Sequence, residues 1–168
     1  MKKVLLGILV LAVAVLVFVP LTKTQAALSA KATIIGKVKA HKNSQIWLKI
    51  KNNSTNGDKI KNVVIWVPST WTIAYPSSNT AIRNRNFGPW STQVIWNGKS
   101  QRAGYDAIWF KATPGTKRIT AGWAEKFPLT LKTPTNQKAY NYKQKMYWMA
   151  ETENGQIIRG SIIVPVVK

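Results

Sequence analysis

One histidine and five carboxylates are the chain's whole stock of side chains that titrate in the acid-to-neutral range or bind metal: His41, Asp58, Asp106, Glu125, Glu151 and Glu153. There is no cysteine. A zinc or other transition-metal site gathers several His or Cys ligands, and one histidine cannot supply them. A calcium site takes several carboxylates at close quarters, whereas Asp58 stands alone in an Asn/Gly turn that Asx-turn bonding accounts for. Glycoside hydrolysis needs two carboxyl groups facing each other across a cleft. Glu151 and Glu153 lie two residues apart beside a hairpin, and among so many lysines ion pairing is their simpler use. His41 alternates with Lys37 and Lys39 and reads as part of a basic, wet strand face. Neither a Gly-x-Ser-x-Gly nucleophile elbow nor a glycine-rich phosphate loop is present. The chain reads as non-catalytic, with no metal and no cofactor.

Binding chemistry is better represented. In QIWLKIK, residues 45–51, Ile46, Leu48 and Ile50 share one side of an extended chain and Trp47, Lys49 and Lys51 the other. YDAIWFKA repeats the arrangement, with Ile108 and Phe110 inward and Ala107, Trp109 and Lys111 opposite. In TIIGKVKAH, Lys37, Lys39 and His41 oppose Gly36, Val38 and Ala40. KMYWMA is less distinct: Met146, Trp148 and Ala150 make the core set, and Lys145, Tyr147 and Met149 face outward. Arg83, Arg85 and Trp90 sit in or beside a long loop that borders such a face. Lysine among exposed aromatics suits a polymer that carries rings and negative charge, since stacking and charge contacts act together. Two other uses stay open. The aromatics can be covered by a second subunit, or lysine stems can lie over them within one molecule.

The elements that must position these residues are strands. Period-two runs occupy 33–41, 45–52, 60–67, 91–96, 105–112, 118–123, 129–132, 142–151 and 156–167, and they are rich in Val, Ile, Trp, Tyr and Thr. Residues 74–89 read as a long loop. Turn chemistry separates the runs at 52–58, Asn97-Gly98, Thr113-Pro114-Gly115, 133–136 and Asn154-Gly155, the last being the clearest hairpin. Two overlapping sequons, Asn52-Asn53-Ser54 and Asn53-Ser54-Thr55, make Asn52 and Asn53 candidate glycan acceptors. An ordinary polar turn needs the same residues. The last segment, GSIIVPVVK, is apolar and β-branched, as a strand buried on both faces would be. Pro165 argues instead for an edge or a bulge, and an apolar edge can pair with another chain.

The run QIWLKIKNNSTNGDKIKNVVIWVPSTWTI resembles the front half of immunoglobulin-like domains on prokaryotic surface proteins, in which an Asn-rich turn leads to a Val/Ile strand ending in Pro and an aromatic. NGKSQRAGYDAIWFKATPG resembles their later turn, core strand and Pro-Gly exit. The resemblance spans Ser44 to Val167 and is one of pattern. It implies an all-β fold, an immunoglobulin-like two-sheet antiparallel sandwich, with an exported binding or structural role.

The ends of the chain bound the setting. Lys2 and Lys3, the uncharged apolar run Val4–Val19, Pro20, and small residues at Thr24 and Ala26 have the layout of a secretory signal peptide cut after Ala26. An uncleaved hydrophobic helix anchoring the chain to the membrane is the alternative. Residues 27–168 then form a single domain, long enough to bury a core. Without Lys2, Lys3 and Lys23 the 25 basic residues fall to 22, which against 5 acids leaves +17. Such an excess draws polyanions. The expectation is an exported, strongly basic domain that binds an anionic polysaccharide or cell-wall polymer, or extracellular nucleic acid, through a Lys/Trp sheet face. The alternative is a structural subunit that assembles with copies of itself by strand pairing.

Overall fold

The computed structural model describes residues 28–82, 89–96, 99–114, 118–134 and 143–167. The proposed signal segment, Arg83 and Arg85 lie outside them. Every regular element among the described residues is a strand: β1 (Ala30–Ile35), β2 (Val38–Lys39), β3 (Ser44–Asn52), β4 (Ile60–Pro68), β5 (Thr72–Tyr75), β6 (Ala81–Ile82), β7 (Trp90–Ile95), β8 (Tyr105–Ala112), β9 (Ala124–Lys132), β10 (Lys143–Thr152) and β11 (Ile157–Val167). They form a four-stranded sheet, β1-β3-β9-β5, and a seven-stranded sheet, β2-β11-β10-β4-β8-β7-β6. All pairings are antiparallel except β2 with β11.

The inward set of each strand closes the sandwich. Ile46, Leu48 and Ile50 of β3 and Phe127, Leu129 and Leu131 of β9 meet Val63, Ile65 and Val67 of β4 and Ile108 and Phe110 of β8 in one buried cluster. Met146, Trp148 and Ala150 join it from β10, as their spacing predicts. Phe127 links the layers. Its ring lies 4.6 Å from that of Phe110 and takes the edge of Trp90 at 5.1 Å. Removal of such a ring forfeits both its burial and its partners' packing.

Several sequence expectations are corrected here. The run 33–41 is not one strand. Gly36 adopts φ +104°, a conformation other residues reach at a cost, and the chain there leaves the four-stranded sheet as β1 and enters the seven-stranded sheet as β2. His41 lies beyond β2 rather than on a strand face, with its N–H on Thr133 Oγ1 (2.9 Å) and its Nδ1–H on Pro134 O (2.8 Å). Residues 118–123 form only a bridge, Ile119 to Ile60. The supposed loop from 74 begins inside β5 and contains β6.

Conversely, β9 begins at Ala124, five residues before the expected start, and runs through Pro128 although it is an interior strand. Asn52 N–H donates to Trp123 O, which makes Trp47–Pro128 one of the non-hydrogen-bonded pairs of β3 and β9. Proline therefore breaks no bond to β3. On its other side β5 has already ended, since Tyr75 pairs with Thr130.

The outer face of the seven-stranded sheet holds a second, smaller core. Val64, Trp66, Ala107 and Met149 are buried there, flanked by Ile95, Tyr105, Trp109 and Tyr147. The link before β8 covers it: Trp66 Nε1–H donates to Ser100 O at 2.7 Å, and the Arg102 guanidinium lies 3.7 Å from the centre of the Tyr147 ring. Met149, expected outward, is on that face but buried in this second core.

Candidate functional site

The outer face of the four-stranded sheet is where lysine and tryptophan meet water. Ala30, Ala32 and Ile34 of β1 pack on the core, which turns Lys31, Thr33 and Ile35 outward. In register, Lys31 lies opposite Lys51, Thr33 opposite Lys49, and Ile35 opposite Trp47. On the other flank of β3, Lys51 faces Ala124, Lys49 faces Lys126, and Trp47 faces Pro128. Lys49–Lys126 shares the non-hydrogen-bonded geometry of Trp47–Pro128, whose Cα atoms approach to about 4.5 Å. Two adjacent rows thus carry four lysines, with strands about 5 Å apart and rows about 7 Å apart.

One tryptophan borders these rows. Trp47 is half-buried between Ile35 and Pro128. Trp123, 58% exposed, precedes β9 and holds the Asn52 N–H through its carbonyl, but it pairs with the inward-facing Asn52 and so does not share the parity of the lysine rows. Like charges directly opposite each other cost a sheet stability, and ordinarily carboxylates relieve them. None stands on this face. Asp106 and Glu125 are buried. Asp58 accepts from Asn56 and Asn154 at the end of the β10–β11 hairpin. Glu153 pairs with Arg118 at 3.0 Å and Glu151 with Lys61 at 3.0 Å. Those are all five acids of the chain.

The other candidates do not join them. Trp109 and Lys111 lie on β8, on the outer face of the opposite sheet, where the Lys111 ammonium sits 5.2 Å from the Trp109 ring centre. That lysine lies over its own molecule's aromatic ring. Lys39 is exposed on β2 and Lys37 in the link before it, at the rim of the seven-stranded sheet. Trp90 is a correction: it is wholly buried against Phe127 and offers nothing to a ligand. Asn52 is another, since its side chain is fully buried and bonded at both ends. A glycan needs an amide that faces solvent, which of the two sequon asparagines only Asn53 has. Lys31 and Lys126 were missed. For Lys126 the signal was present in AEKFPLTLK, where Glu125, Phe127, Leu129 and Leu131 alternate with Ala124, Lys126, Pro128 and Thr130, but the proline masked it.

Among the described residues no three His, Asp or Glu side chains come together. Burial pushes the Glu151 carboxyl up, but the Asn62 amide (2.7 Å) and the Lys61 ammonium more than offset this and hold it below its ordinary value of 4.5. A carboxylate lowered on folding stabilises above its unfolded pKa and loses that increment as pH falls through the folded one. Urea unfolding across the acid range is therefore expected to show wild type losing stability faster below about pH 4.5 than Glu151→Gln, with the difference between them largest near neutrality.

No family model matches the chain, and no curated protein matches it in sequence. Solved structures do. A cohesin module from a family 33 glycoside hydrolase of Clostridium perfringens matches at 9% identity and TM-score 0.48, over 85% of this chain and 98% of that one. The sixth cohesin of Acetivibrio cellulolyticus scaffoldin B, solved with a Cel5 dockerin, matches at 12% and 0.47, over 83% and 98%. The major pilin subunit of Bacillus cereus matches at 10% and 0.47, over 84% of this chain and 40% of that one. The two sheets of this chain, packed on one buried core, form a sandwich of the kind the sequence pattern resembles.

Proposed function

We propose that the chain is an exported, non-catalytic domain that binds an anionic polymer on the outer face of its four-stranded sheet. The observation that carries this reading is the pair of like-charge rows, Lys31–Lys51 and Lys49–Lys126, on a face without a single carboxylate. A sheet that only had to fold would gain by placing an acid there. A polymer lying along β3 meets the lysine rows at a spacing of about 7 Å, and its rings can stack on Trp47 at their end. Acidic polysaccharide, cell-wall polymer and extracellular nucleic acid all have this chemistry.

The test is a titration of intrinsic tryptophan fluorescence with acidic polysaccharide, a polyol-phosphate polymer and single-stranded DNA at several salt concentrations. Saturable binding is expected, weakening as salt rises. Removing a lysine from the face lowers the slope of log K against log salt by about one. Trp47→Ala is expected to cost about 1–3 kcal/mol for a polymer that stacks. Equal loss on replacing Lys111 or Lys39, which lie elsewhere, would reduce the interaction to bulk charge. Absence of binding at low salt would refute the reading.

A further inference from the structure

Strand β11 is eleven residues long, yet its second edge is paired only at Val166 and Val167, by β2. Which backbone groups face that edge follows from two bonds. Thr152 N–H donates to Gln156 O, so the even-numbered residues of β11 exchange bonds with β10. Ala40 N–H donates to Val167 O, so the odd-numbered ones face the other way. Ile157, Arg159, Ser161 and Ile163 therefore turn both N–H and C=O toward an edge to which no described strand is hydrogen-bonded, with β1 of the other sheet passing close by. Pro165, next in that series, has no N–H to offer there. Unpaired edges are normally blunted by charge, proline or brevity. Here eight residues, 157–164, lie between the hairpin and the proline with one charge, Arg159, and with Ile157 and Ile163 45% and 48% exposed. The other edges differ: β1 carries Lys31, and β5 and β6 have four and two residues.

The sequence of this edge reads nearly the same in both directions: Ile157-Ile158-Arg159-Gly160-Ser161-Ile162-Ile163. A twofold interface requires a self-complementary surface. We propose that two copies of the chain join their seven-stranded sheets through antiparallel pairing of β11, about a twofold axis at Gly160. In this register Ile157 opposes Ile163 of the second copy, so the two exposed isoleucines cover each other. Arg159 opposes Ser161, and the two arginines stand diagonally rather than face to face. All four outward-facing residues form hydrogen-bonded pairs, and none of those pairs involves Pro165. Beyond Ile157 each chain turns into its own β10 at Glu153–Asn154, which leaves β2 undisturbed. The lysine rows lie on the other sheet and stay open, so the pair presents two of them to one polymer, a gain in avidity without new contacts.

Sedimentation equilibrium of the purified protein over a concentration series tests this, with a reversible monomer–dimer equilibrium expected. Ser161→Pro deletes one outward N–H and no bond to β10, and it is expected to weaken the dimer about tenfold or more while circular dichroism is unchanged. Ile163→Lys, at an exposed site, is expected to do the same should the proline perturb folding. Ser161→Glu places a carboxylate opposite Arg159 of the second copy and is expected to tighten the dimer, the more so at low salt. A monomer at every concentration, or a dimer indifferent to Ser161→Pro and Ile163→Lys, overturns the proposal. A dimer weakened by Ser161→Glu overturns the Gly160 register.

Discussion

Asn52→Ala is expected to destabilise the protein by about 3–5 kcal/mol, a large part of the stability of a domain this size. The residue ends β3, and its side chain is completely buried. Its amide Nδ2 donates to Asp58 O at 2.6 Å and Ile119 O at 2.9 Å, while Oδ1 accepts from Ser54 N–H at 3.0 Å. Its backbone is engaged as well, through Trp123 O and Gly122 N–H. Ile119 in turn bridges to Ile60 at the start of β4, so this one side chain ties the four-stranded sheet to the seven-stranded one. Truncation leaves the Ser54 N–H and the Asp58 carbonyl without their side-chain partner and Ile119 O with Ile60 N–H alone, each lost bond costing about 1–3 kcal/mol. Asn52→Asp keeps the shape and the acceptor but aims a carboxylate at two carbonyl oxygens, and is expected to cost at least as much. Asn53→Ala, at the exposed neighbour, is expected to change stability by under about 0.5 kcal/mol. Urea midpoints of the three variants check this. A shift for Asn52→Ala no larger than that for Asn53→Ala would mean the buried amide does not join the sheets.

How far the sequence discloses such features depends on whether the cause is local. Period two placed Ile46, Leu48 and Ile50 in the core and Lys49 and Lys51 outside it, because the pleat alone decides this. Asn154-Gly155 marked the β10–β11 hairpin, where Gly155 adopts φ +77°. What a distant segment decides was not legible. Asn52 has the composition of a turn residue, and its burial comes from residues 118–123, some seventy positions away. Trp47 and Trp109 have the same local pattern, yet they lie on opposite sheets, a matter of strand order that no window of sequence contains. Met149 alternates outward as expected and is nonetheless buried, because it packs with Val64, Trp66 and Ala107 in a second core on the outer face of the larger sheet. Lys126 was hidden for another reason. Proline argues against an interior strand, and its tolerance at 128 depends on β5 stopping at Tyr75.

Reversing one lysine of the closest like-charge pair is expected to move stability and binding in opposite directions. Lys49 and Lys126 face each other across a non-hydrogen-bonded pair, the arrangement that brings cross-strand side chains nearest. Lys49→Glu turns repulsion with Lys126 into attraction and sets the new carboxylate one row from Lys31 and Lys51. A gain of about 0.5–1 kcal/mol is expected in low salt, fading as salt screens the face. The same change withdraws one cation from the polymer and adds one anion. Affinity is then expected to fall by about tenfold or more at low salt, with the salt slope reduced by about two, twice the effect of neutralising one lysine. The opposed signs are the informative part. A lysine retained only for solubility would lose neither stability nor affinity when reversed in so basic a chain. A structural lysine would lose stability. A face selected to hold a polyanion keeps its charges against the preference of the fold, so it alone predicts a variant that is more stable and binds worse. If Lys49→Glu is less stable than wild type, these lysines serve the sheet. If it is more stable and binds equally well, the polymer lies on another surface.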